Sequence, residues 1–146
     1  MNVKRKRALV VDDDRDMVSV LHYFLTNAGF DVLCAYGAES ALRSIPVRMP
    51  DLVVTDLAMP GMSGVELIEA LKNDRRTRQI PIIAVTAFIW DEIVQAAASV
   101  GCDGFISKPF DSTRLLREVD KVLNPDSQAP EPIWTISFTL APKRFD

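Results

Sequence analysis

Short apolar runs that end in a chemically capable side chain recur along this chain, and each is followed by apolar residues at helical spacing. Ala8-Leu9-Val10-Val11 ends in Asp12-Asp13-Asp14, Leu52-Val53-Val54-Thr55 in Asp56, Ile80-Pro81-Ile82-Ile83-Ala84-Val85 in Thr86, and Phe105-Ile106 leads to Lys108-Pro109. Runs of this kind read as strands buried on both faces. Between them lie helical stripes. Val18, Leu21, Leu25 and Ala28, with Val20 and Phe24 alongside, form the first, closed by Gly29 as a C-terminal cap. A strand over 30–36 and a short helix over 38–45 follow. Val65, Leu67, Ile68 and Leu71 line a helix over 64–72, a further helix covers 91–100 up to Gly101, and Asp111 or Ser112 caps a last one carrying Leu115, Leu116, Val119 and Leu123. Five strands alternating with five helices through short links require right-handed crossovers, which give an α/β fold with a doubly wound five-stranded parallel sheet. In such a sheet the C-terminal strand ends meet at one crevice, the usual ligand site. Here that crevice gathers several carboxylates, a hydroxyl and an ammonium.

A length of 146 residues, 48% of them hydrophobic, suits one cored domain. Composition shifts only after Asn124, where Pro125, Pro130 and Pro132 mark a linker. The expected organisation is a domain over 1–124 and a Pro-rich linker and tail over 125–146. In that tail Trp134, Ile136, Phe138 and Leu140 alternate with polar residues as in a strand with one apolar face. An edge strand for a partner, an arm folded on the domain, the stub of a removed module and appended sequence all fit this pattern. The net charge of −3 lacks the footprint of a nucleic-acid binder, and the basic run Lys4-Arg5-Lys6-Arg7 leads straight into a strand, as a solvated entry does. Direct DNA binding is not expected. Cys34 and Cys102 show no metal-ligand or CxxC spacing and read as reduced packing residues. With neither a signal-peptide core nor an apolar run near the roughly 20 residues that span a bilayer, the expectation is a soluble, cytoplasmic protein with no membrane contact.

Four motifs carry a resemblance: Val10-Val11-Asp12-Asp13, Asp56 followed by Met59-Pro60-Gly61-Met62-Ser63-Gly64, Val85-Thr86-Ala87, and Lys108-Pro109-Phe110. In this order, each at a strand end, they resemble a two-component response-regulator receiver domain over about residues 6–123. The resemblance implies the flavodoxin-like strand order 2-1-3-4-5. It also implies a signalling switch rather than an enzyme acting on a separate substrate. Asp56 would accept a phosphoryl group from the phosphohistidine of a sensor kinase or a histidine phosphotransfer protein. Asp13 would bind Mg²⁺ (or Mn²⁺ in its place) directly and Asp12 mainly through water, with Asp56 and the Ala58 carbonyl completing the site. Oxygen ligands of this kind suit a hard divalent ion. Lys108 and Thr86 would hold the phosphoryl oxygens, and Pro109 resembles the family's cis-bonded proline.

Other residues read more plainly. Asp14 is a helix-start acid, His22 an ordinary helical histidine, and Trp90 either a packing residue or a partner anchor. Two rival functions share parts of the motif set. A haloacid-dehalogenase-like phosphatase also forms an aspartyl phosphate, but its nucleophile opens an Asp-x-Asp pair on the first strand, whereas Asp12-Asp13-Asp14 continues into Arg15-Asp16. A phosphorylation-independent pseudo-receiver would not need the intact acid, Thr and Lys set. The stretch Gly101 to Lys108 looks more like stand-alone or hybrid-kinase receivers than transcription-factor ones, in which a second acid usually stands where Gly104 is. A downstream protein target and a monomer or weak dimer are expected. By resemblance, Ala58 and Phe88 flank the path of the water that would hydrolyse the acyl phosphate, and Phe105 is the switch aromatic that answers Thr86.

Overall fold

The structure, a computed structural model, describes residues 4–87 and 92–125. The elements alternate as β1 (Arg7–Val11), α1 (Arg15–Asn27), β2 (Asp31–Ala35), α2 (Ala38–Ser44), β3 (Leu52–Asp56), α3 (Gly64–Lys72), β4 (Ile82–Thr86), α4 (Glu92–Ser99), β5 (Gly104–Ser107) and α5 (Ser112–Leu123). All four strand pairings are parallel, and the order is β2-β1-β3-β4-β5. The fold is the expected five-stranded, doubly wound sheet. The Phe88, Trp90 and Asp91 positions and the tail strand around 134–140 lie outside the described residues.

Strand alternation splits the core in two. Leu9, Val11, Val53, Ile82 and Ala84 face one layer with Leu67, Ile68 and Leu71 of α3 and Ala97 of α4. Ala8, Val10, Leu52, Val54, Ile83, Val85 and Ile106 face the other, against Val18, Leu21 and Leu25 of α1 and Leu115 and Val119 of α5. The apolar runs of the inner strands reflect this: with both faces covered, every position is buried. Each fully buried Leu or Ile contributes about 2 kcal/mol relative to remaining in water.

Local sequence sets the helix ends. Asp14 is the N-cap of α1, its side chain accepting from the Asp16 N–H, and Asp111 caps α5 by accepting from Arg114. Ser63 and Glu66 form a reciprocal capping box at the start of α3. Gly29 and Gly101 follow α1 and α4 with φ of 101° and 106°, a conformation glycine adopts without a Cβ penalty.

Three expectations need correction. Cys34 is exposed rather than packed, because β2 is an edge strand with one neighbour and its apolar run is only partly covered. Ala28 is exposed, since the α1 stripe ends at Leu25 and Ala28 is the C-cap. Val20 is 40% exposed, because it sits off the buried Val18-Leu21-Leu25 line. Cys102 is partly buried, and desolvation pushes its thiol up to about 12, so it is inert as a nucleophile.

Candidate functional site

β1 and β3 lie side by side with Val11 opposite Thr55, so the residues that follow them, Asp12 and Asp56, emerge together at the C-terminal edge of the sheet. Asp13 sits beside them on the loop into α1. One carboxylate oxygen from each of Asp12, Asp13 and Asp56 lies within 4.8 Å of the others. Asp12 is buried, Asp56 partly buried and Asp13 exposed. Asp14 caps α1 instead of joining them.

β4 and β5 supply the opposite wall. Thr86, 3% exposed, pairs in register with Ser107, and the Lys108 N–H donates to the Thr86 carbonyl at 2.9 Å. The Lys108–Pro109 bond is cis. Lys108 Nζ stands 3.4 Å from Asp12 Oδ2 and 3.6 Å from Asp56 Oδ2, bridging the two walls. Asp12, Asp13, Asp56 and Lys108 therefore converge on one crevice, with Thr86 at the adjoining end of β4.

The crevice is short of positive charge. At an effective dielectric near 20, carboxylates about 5 Å apart repel by roughly 3 kcal/mol per pair. Burial raises the pKa of Asp12 above the usual carboxylate value, and the Asp56 charge adds to the shift. The Asp14 N–H, which donates to Asp12 Oδ1 at 2.9 Å, and the Lys108 ammonium oppose it. Hard oxygen donors grouped this closely, with one ammonium at their edge, fit a divalent cation such as Mg²⁺.

Main-chain groups orient Asp56. Its Oδ1 accepts from the Leu57 N–H at 2.7 Å and, more weakly, from the Ala58 N–H at 3.5 Å, while Oδ2 faces Lys108. Ala58 is exposed at the rim. Gly64 lets α3 begin against this turn. Its N–H donates to the Leu57 carbonyl at 2.9 Å, and a Cβ there would overlap the Asp56 carbonyl oxygen and come within 2.7 Å of Leu57 Cα. The sequence reading missed this packing role and the capping box, although Ser63-Gly64-Val65-Glu66 carries the S-x-x-E signature of a helix start.

Phe105 lies opposite Ala84, on the same sheet face as Thr86 and one pleat away, and packs partly buried against the α3–α4 layer. His22 is exposed on α1, outside the crevice.

Comparison with known proteins agrees with this geometry. The response regulator receiver domain family matches residues 8–120. An uncharacterized 14.6 kDa protein of Leptolyngbya boryana is 38% identical over 77% of this chain and 86% of its own length. The phosphate regulon transcriptional regulatory protein PhoB of Pseudomonas aeruginosa is 36% identical over 86% of this chain and 56% of its own length, so the chain spans just over half of that relative. Among solved structures, the chemotaxis response regulator CheY4 of Vibrio cholerae superposes with a TM-score of 0.78 at 28% identity, covering 82% of this chain and all of that one. A CheY-like receiver domain protein of Methanospirillum hungatei gives 0.78 at 29%, covering 84% of this chain and 96% of the other. Together with the strand order and the crevice, these matches make the chain a member of the response regulator receiver domain family of two-component signalling.

Proposed function

We propose that this receiver takes a phosphoryl group onto Asp56 from the phosphohistidine of a sensor kinase or a histidine phosphotransfer protein. The observation that carries the reading is the state of Asp56 itself: one oxygen is held by main-chain amides and the other faces Lys108, in a crevice shared with two more carboxylates. In the transfer, an Asp56 carboxylate oxygen bonds to phosphorus as the P–N bond breaks, and the departing imidazole nitrogen keeps the electron pair and takes a proton. Lys108 and Thr86 receive the phosphoryl oxygens, where charge spreads in a loose transition state. Asp12, Asp13, Asp56 and the Ala58 carbonyl are the residues that would hold Mg²⁺, or Mn²⁺ in its place; bound there, the ion would offset carboxylate repulsion and phosphoryl charge. The protein catalyses only its own phosphorylation and dephosphorylation.

Incubation with acetyl phosphate and Mg²⁺ is expected to place one phosphoryl group on Asp56, and Asp56→Asn to abolish labelling. Peptide mapping that put the label on Asp12, or labelling undiminished by chelator, would refute this assignment. The acyl phosphate is expected to be long-lived, because the Ala58 side chain offers no hydrogen bond to an attacking water. Ala58→Asn should accelerate its loss several-fold, and a wild-type phosphoprotein that decays within seconds would contradict the idea.

The readout assigned to this chemistry is the surface of α4, β5 and α5, which would engage a downstream protein rather than DNA directly. Residues 1–124 are taken as the working unit and 125–146 as a tail of separate role, acting in the cytoplasm as a monomer or weak dimer. No helix among the described residues is long and apolar enough to cross a membrane.

A further inference from the structure

β5 is an edge strand, yet the outward main chain at its centre is occupied. Because the Lys108 N–H points to β4, strand alternation turns the backbone groups of Phe105, three residues earlier, away from the sheet. α5 takes both. The Phe105 N–H donates to Glu118 Oε2 at 3.3 Å, the Phe105 carbonyl accepts from Arg114 Nη2 at 3.4 Å, and Arg114 Nη1 pairs with Glu118 Oε1 at 3.1 Å. The result is a closed ring of two side chains and one residue's main chain. Glu118 is 6% exposed and lies outside the phosphorylation crevice.

Gly104 makes the ring possible. A Cβ at that position would stand 2.5 Å from Glu118 Oε2 and 3.1 Å from Val122 Cγ1, so any side chain there would push the carboxylate off the Phe105 N–H. The ring of Phe105 meanwhile packs on the opposite face, with the α3–α4 layer. A single residue is thus gripped by its side chain in one layer and by its main chain from the other.

We propose that Arg114 and Glu118 are positioning residues of the switch: they fasten α5 to the Phe105 main chain, so that repacking of the Phe105 ring is carried through the sheet to α5. This rests on the phosphorylation reading above. A purely stabilising contact would hold β5 and α5 together without altering how α5 responds to modification at Asp56.

The test is amide NMR of the full chain with and without beryllofluoride and Mg²⁺, in wild type, Glu118→Ala, Glu118→Gln and Gly104→Ala. In wild type, shifts are expected across both α4 and α5. In Glu118→Ala and Gly104→Ala the α4 shifts should persist while those of residues 112–123 fall at least threefold. Glu118→Gln should restore most of the α5 response, since its amide oxygen still accepts the Phe105 N–H. Gly104→Ala leaves both ring members intact, so the test stands even if Glu118→Ala fails to fold. Undiminished α5 shifts in Gly104→Ala would overturn this inference alone, whereas no shift anywhere in wild type would overturn the phosphorylation reading and the inference with it.

Discussion

The two ends of the sheet use charge in opposite ways. At the C-terminal end, three carboxylates crowd together with Lys108 as the ammonium between two of them. At the N-terminal end, charges are matched locally and spent on structure. Lys72 Nζ, at the end of α3, donates to Asp103 Oδ2 at 2.9 Å and to the Arg78 and Ile80 carbonyls at 3.1 and 2.9 Å. The same Asp103 oxygen accepts from the Ile82 N–H at 2.9 Å, tying α3, β4 and the start of β5 together. Nearby, Arg7 and Arg48 share Asp31, and the Arg7 N–H donates to Asp51. A chain can keep an unbalanced cluster at one end when the other end holds the strands in register. The imbalance is what suits the C-terminal end to a cation.

Substitutions should separate the two ends. The largest effect is expected where the reactive end depends on backbone packing: Gly64→Ala forces its Cβ into the Asp56–Leu57 main chain and should cost about 3 kcal/mol while also slowing phosphorylation. Denaturant melts with acetyl-phosphate labelling would check both, and a stable variant with normal labelling would mean the turn adjusts freely. At the opposite end Lys72→Met should lose about 2 kcal/mol, because it removes three hydrogen bonds from a largely covered ammonium, with labelling of Asp56 unchanged. A labelling defect there would break the contrast between the ends. The smallest effect has the opposite sign. Asp12→Asn relieves buried like-charge repulsion and should stabilise the cation-free protein by about 1 kcal/mol while weakening Mg²⁺ binding tenfold or more. Thermal melts with and without Mg²⁺ would reveal it, and destabilisation in the cation-free protein would show that the Lys108 pair outweighs the repulsion.

Strand-end chemistry was legible in the sequence because a buried parallel strand has an unmistakable apolar run, and the residue that ends it must emerge at the crevice. Asp12, Asp56, Thr86 and Lys108 were all found in this way. Much of what escaped involves main-chain partners, which residue types do not announce. Glu118 reads as a solvent-facing charge on an amphipathic helix, and nothing in its neighbourhood signals that it reaches the amide of Phe105, thirteen residues away. Lys72 is hidden for the same reason, since two of its three acceptors are carbonyls. Cys34 failed differently: an apolar run does not reveal whether its strand is central or at an edge, and burial depends on that. Phe88 and Trp90, both singled out from sequence, lie outside the described residues.

The main-chain bond between Lys108 and Thr86 joins two residues of the same half of the primary structure. Every clustered carboxylate precedes Leu57, while the hydroxyl, the ammonium, Phe105 and α5 all follow Pro81. The segment between α3 and β4 is therefore where a hybrid of two such chains would be joined, with the clustered carboxylates inherited from one parent and the hydroxyl, the ammonium and α5 from the other. Two of the three groups that Lys72 grips are carbonyls within that segment, which any donor sequence supplies. The exception is Asp103, so a compatible second parent is one that carries an acid at that place.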